Sequence, residues 1–338
     1  MRAFGIKEES VLSAISNHPY GAGRKSRFDF KKYMVYLIFV FVLALFAVWL
    51  GWSFFSVKNL LNITRQTAMI SIMAVGMTFV IACGEIDLSI GSIAALCSLF
   101  CALVLRDTGS APLAVAATLA LGAFIGLLNG LNVTQLGIPS FLATLGMLSV
   151  GKGFAMWTTD TRAVPITSDS FNFLFGMGTL GGFPILFLWT LLVLAAGHFL
   201  LRYMPFGKRV LAVGGNAVSA SYSGVNVPWV KIKVMVMNGA LAAFAAMLYS
   251  GRMQTARYTF GDGDELSAIA AVVLGGTSMS GGTGSIIGAV IGSLLLGIIN
   301  NGLIIGGLSV SQQMIVRGLI IILAVALGNI GNKKKLRN

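Results

Sequence analysis

The sequence predicts an all-α, polytopic membrane protein of about ten transmembrane helices, some short or broken, with both termini on the cytoplasmic side. Three observations carry that expectation. Of 338 residues, 56% are hydrophobic and 10% charged, against roughly 25% charged in soluble domains. Mean hydropathy is +0.86. The apolar runs are long and continuous rather than short and alternating, which favours helices over a barrel. In lipid the backbone must satisfy its own polar groups, and a helix does so within one segment.

The elements follow in order. Residues 1–32 form a polar, basic segment, with Arg24, Lys25, Arg27, Lys31 and Lys32 just ahead of the first apolar run. Basic residues stay on the cytoplasmic side. That run starts near Tyr33 and is too long for a signal-peptide core, so no cleavable leader is expected. A transmembrane region at 33–328 then holds spans at about 33–52, 67–84, 88–105, 111–131, 139–157, 183–203, 234–250, 265–280, 285–306 and 311–328. The loop at about 204–233, with Arg202 at its edge, carries Lys208, Arg209, Lys231 and Lys233 and no acid. It is expected inside, which requires an even number of preceding spans; six precede it. The tail at 329–338 carries Lys333, Lys334, Lys335 and Arg337, and ten spans return it inside. Loops 158–182 and 251–263 then fall outside.

Net charge is +13. Its basic residues sit at span ends rather than on a compact domain, so they are read as topology and nucleic-acid binding is not expected. Cys83, Cys97 and Cys101 lie in apolar runs with no His or acid to complete a metal site. His18 and His198 are read as incidental. The 42 glycines suit close helix packing. A weak repeat relates Gly122–Leu131 to Gly292–Leu303, each span ending in asparagine (Asn129; Asn300 and Asn301).

Four local features bear on chemistry. Gly84-Glu85-Ile86-Asp87-Leu88-Ser89 places two acids between spans. They either cap a tight turn near the cytoplasmic face or mark a solute path. In the main loop, Asn216 is placed to cap a short helix that Gly224 stops. That helix reads as a docking element or as a plain connector. Asp264-Glu265 before Leu274-Gly275-Gly276 suggests a broken helix or close packing. Gly146-Met-Leu-Ser-Val-Gly151-Lys152 imitates a phosphate loop, but Gly153 stands where Ser or Thr is needed and the motif lies in a span. Ser71, Thr78, Ser92, Asn129, Ser140, Thr144, Asn238, Asn300 and Asn301 lie within spans. As a set they suit an uncharged, hydroxyl-rich solute better than an ion.

Several segments resemble the permease subunits of the ribose/xylose/arabinose/galactoside group of ABC importers. They are Met73–Ile81, Gly84–Ser92, Pro139-Ser140-Phe141-Leu142-Ala143-Thr144-Leu145-Gly146, Ala212–Asn216, Ser223–Val227, Glu265–Ser278 and Gln312–Gly318, from about Asn59 to Leu327. Glu85 departs from the group, which often has an uncharged residue there. The resemblance implies a bacterial inner-membrane permease that imports a monosaccharide by alternating access. It implies no cofactor on this chain, with ATP and Mg on a partner ATPase, so the chain itself is not an enzyme. Further implied partners are a periplasmic or lipoprotein sugar-binding protein and a second copy of the chain or a paralogous permease. Coupling to the ATPase is expected through Gly215, Asn216, Ala217, Ala220, Ser223, Gly224 and Val225. The path or its framework is expected at Asp87, Ser89, Asn129, Ser140, Phe141, Thr144, Glu265 and Asn300. Two other classes stand beside this reading: a proton-coupled transporter using Glu85 and Asp87, and an intramembrane enzyme, for which no His, Cys or acid constellation is visible.

Overall fold

A computed structural model describes residues 30–333. Most of the basic segment at 1–32 and the end of the tail at 329–338 lie outside the described residues.

A helix occupies each expected apolar segment. These are α1 (Phe30–Leu50), α2 (Val57–Ala82), α3 (Ile90–Thr108), α4 (Ala111–Thr134), α5 (Ser140–Trp157), α6 (Ile185–Arg202), α9 (Val227–Met253), α10 (Asp264–Leu274), α11 (Ile286–Ile305) and α12 (Val310–Lys333). Between α6 and α9 lie two short helices, α7 (Pro205–Gly215) and α8 (Ala217–Tyr222). Among the described residues, six helices are long and apolar enough to cross a membrane: α2, α3, α4, α6, α9 and α11. The protein is thus helical and multi-pass.

Three boundaries differ from expectation. Helix α2 begins at Val57, ten residues before 67. Ser56 caps it, accepting from the Asn59 amide, and its polar first turns find partners inside the protein. One is Asn59, whose side chain donates to Asn301 Oδ1 at 3.0 Å. Helix α9 begins at Val227, capped by Asn226, so Lys231 and Lys233 belong to a helix and the preceding loop is shorter. Helix α10 stops at Leu274, and residues 275–285 are not helical. At about 1.5 Å per residue α10 spans some 16 Å, half a bilayer.

Close packing runs through α4 and α9. Gly122, Gly126 and Gly130 recur at one face of α4, and a Cβ there would overlap the Gly239 carbonyl, the Met235 carbonyl or Ile232 of α9. This spacing of small residues lets backbones approach where lipid supplies no hydrophobic drive. Most of the core is one cluster centred on α2, α3 and α9. A small cluster of Phe46, Phe54, Ile63 and Ile298 seats α1 on α2 and α11.

Contacts define two ends. At the lower end Gly84 faces Gly214, and the Gly282 amide donates to Ala82 O at 3.0 Å. At the upper end Val164–Pro165 pairs antiparallel with Thr255–Ala256. There Lys152 of α5 forms an ion pair with Asp262 and donates to Tyr258 O. The pseudo-phosphate loop is therefore ordinary α5 helix with its lysine engaged. All three cysteines are buried and free.

Candidate functional site

The site is built on a break between α2 and α3. Gly84 takes φ +84°, a left-handed turn that glycine adopts without strain. Residues 85–89 then run without regular secondary structure beside the first turns of α5. Non-helical backbone inside a bundle leaves amides without helical partners, and each unpaired one is costly. Two hydroxyls of α5 answer them. Ser140 Oγ accepts from the Ile86 amide at 3.1 Å, and Thr144 Oγ1 accepts from the Leu88 amide at 3.0 Å. The spacing of four residues on α5 puts both hydroxyls on one face.

Asp87 ties the strip together. It is fully buried. One carboxylate oxygen accepts from the Ser89 amide at 2.9 Å and the Ser89 hydroxyl at 2.6 Å. The other accepts from Asn238 Nδ2 of α9 at 2.9 Å. Asn129 of α4 donates to Ser89 Oγ at 2.8 Å. A buried charge is tolerated when donors converge on it in this way. Asn129 lies five residues before the end of α4, so the network sits about 8 Å inside the lower end. Glu85 pairs with Lys231 of α9 at 2.5 Å. The two acids are therefore held within the bundle, not in a solvent-facing turn. The reason is tertiary: α5 and α9 supply their partners.

The structure gathers Asp87, Ser89, Asn129, Ser140 and Thr144 into one network and leaves three expected residues elsewhere. Phe141 points away, 47% exposed. Glu265 sits in the first turn of α10 against the Gly91 backbone, where a Cβ would overlap it and the Gly261 carbonyl. Asn300 faces α12, its Oδ1 3.5 Å from Arg317 Nη2. Asn238 and Lys231 complete the network and were not among the expected site residues. Asn238 was visible only as one more polar residue in a span, and Lys231 only as loop charge.

Below the network, α7 and α8 form an elbow. Asn216 Oδ1 accepts from the Ser219 amide at 2.9 Å, capping α8. Gly224, at φ +80°, ends it, and the Val225 amide returns to Ala220 O at 3.0 Å. Ala220 is buried, while Val218 (65%) and Tyr222 (90%) stand exposed four residues apart, on one face of α8. Gly215, Ala217 and Ser223 complete this contiguous element.

A family described as "Branched-chain amino acid transport system / permease component" matches residues 59–325. The chain belongs to this permease family. The matched range of the permease takes in the buried network and the elbow. Three relatives carry narrower names. The ribose import permease of Escherichia coli (strain K12) is 42% identical over 281 residues, 82% of this chain and 87% of that protein. The L-arabinose ABC transporter permease of Azospirillum brasilense is 35% identical, covering 80% of each chain. The xylose transport system permease of Haemophilus influenzae is 33% identical, covering 84% of this permease and 92% of that protein. No solved structure matches.

Proposed function

We propose that this permease is the membrane-spanning subunit of an ATP-driven importer and that it carries a monosaccharide, with the pentoses named by its relatives as first candidates. The observation that carries the reading is its 42% identity to a ribose import permease over 87% of that protein. The buried network supports it in kind. Its carboxylates are held by internal partners, Glu85 by Lys231 and Asp87 by three donors. The relatives lend no support to proton-coupled transport.

In the same reading the chain crosses the membrane ten times with both termini inside. The lower end is cytoplasmic, consistent with the basic residues of 202–233 gathered there. ATP and its Mg sit on a separate ATPase, the permease itself binding no nucleotide. A sugar-binding protein delivers solute to the upper end, and a second copy or a paralogue completes the path. The α8 elbow docks on the ATPase, with Val218 and Tyr222 as the apolar contacts. The home of the assembly is a bacterial inner membrane.

Uptake of radiolabelled D-ribose, D-xylose and L-arabinose by cells producing the whole importer tests this. Uptake should survive a protonophore and stop on ATP depletion; the reverse outcome sinks it. For the elbow, Gly224→Val forces a β-branched residue into a left-handed backbone, at a cost of about 1–2 kcal/mol. Uptake should fall while the protein still inserts. Normal uptake with intact ATPase pull-down would remove the elbow from the coupling role.

A further inference from the structure

Between α2, α10, α11 and α12 lies an open cleft of about 70 Å³, room for one edge of a small solute rather than for the whole of it. Leu296, Leu303 and Ile320 supply apolar wall, and Gln66, Asn300, Gln313 and Arg317 supply polar groups. Counted from the helix ends, these four lie about 5–14 Å below the upper end. Thr67 and Ser267 also line the cleft, but their hydroxyls are spent on the carbonyls of Ile63 and Gly263.

The four polar side chains are underused. Gln66 has no hydrogen-bond partner among the described residues. Gln313 donates Nε2 to Leu308 O, leaving its carbonyl oxygen. Arg317 makes one hydrogen bond, to Asn300 Oδ1 at 3.5 Å, while its charge is also felt by the Asp264 carboxylate, and Asn300 keeps its NH₂. The cleft thus presents donors (guanidinium, two carboxamide NH₂ groups) beside acceptors (two carboxamide oxygens) against apolar wall. A cation site would need carboxylates, and none lines the cleft. An anion site would have no use for the acceptors. Vicinal hydroxyls donate and accept at adjacent atoms, and their C–H faces rest on apolar side chains. An exposed arginine with three carboxamides at this depth is also costly against lipid. The face therefore requires water or another protein.

We propose that this cleft is a solute subsite of the translocation path, binding a neutral monosaccharide through adjacent hydroxyls at Gln66, Asn300, Gln313 and Arg317, and facing the aqueous path rather than lipid. It rests on the importer reading and deepens it.

The test uses the complete importer in proteoliposomes. Gln66→Cys is a clean reporter because the native cysteines are buried. It should react with a charged, membrane-impermeant methanethiosulfonate, and the translocated pentose should slow that reaction. Asn300→Leu and Arg317→Met should each lower uptake about tenfold, while ATP hydrolysis stimulated by the binding protein persists; Arg317→Lys should recover part of the uptake. Labelling only by a lipid-permeant maleimide, or water-side labelling without protection by sugar, overturns the subsite. So does uptake within about twofold of the parent in both variants. Failure of the parent importer to carry any of the three pentoses fails the importer reading instead, and the labelling arm still reports whether the cleft meets water.

Discussion

Asp87 and Asn238 are 151 residues apart and meet at 2.9 Å, with 0% and 1% of their surfaces exposed. The contact fixes the non-helical strip to the middle of α9. Removing the carboxylate leaves the Ser89 amide and the Asn238 NH₂ buried without an acceptor, about 1–3 kcal/mol for each group. Asp87→Ala should therefore lower the thermal midpoint of the purified protein by several degrees and abolish uptake. Asp87→Asn keeps the shape and one acceptor oxygen and should fall between. An alanine variant with parental midpoint and uptake would refute the structural role of Asp87.

The strip makes a second demand at α5. Thr144→Val is nearly isosteric but leaves the Leu88 amide unpaired, a loss of about 1–3 kcal/mol. Thr144→Ser keeps the acceptor and should stay within about 1 kcal/mol of the parent. Ser140→Ala should resemble the valine variant, through the Ile86 amide. Denaturant or thermal unfolding in detergent separates the three; equal stability of the Val and Ser variants would show that the hydroxyl is not needed.

These pairs mark what the sequence could carry. The helical segments were legible because each long apolar run has one stable solution in lipid. The cap at Asn216 and the stop at Gly224 were legible because both are local. The early start of α2 was not, because Asn59 and Gln66 look like loop residues until Asn301 and the cleft supply their surroundings. The depth of Asp87 was not, because it depends on Asn238 of α9, and on Asn129 of α4 acting through Ser89, which no spacing rule links to it. Phe141 failed in the opposite way: its neighbours Ser140 and Thr144 serve the strip, and helical geometry turns it to the far side.

Glu85 and Lys231 offer a cleaner double test. They are 10% and 25% exposed at the side chain and pair at 2.5 Å, binding the start of the strip to the second turn of α9. Lys231→Met leaves a nearly buried carboxylate alone, and Glu85→Gln leaves the ammonium alone. Each should destabilise, and the double variant should recover part of the loss, with a coupling energy of about 0.5–3 kcal/mol. Additive losses across the cycle would show that the pair does not act as a unit.

The last prediction concerns how the elbow touches the bundle. A Cβ on Gly214 would overlap the Ala82 carbonyl at the end of α2, whereas one on Gly215 would find its nearest neighbour, Gly282 Cα, at 3.8 Å. The two glycines are adjacent and both close α7, so they share composition and helix position but not space. The Ala82 carbonyl also accepts from the Gly282 amide, which places α7, α2 and the non-helical stretch after α10 in one backbone contact. A movement of the elbow must therefore displace the end of α2, the start of the Asp87 strip and the 275–285 segment together. Gly214→Ala should wedge this contact open, with a loss of about 1–3 kcal/mol typical of overpacking and a fall in ATP-dependent uptake. Gly215→Ala should be close to neutral in both. Measured side by side for thermal midpoint and uptake, two variants of equal phenotype would exclude the backbone contact as the mechanical link.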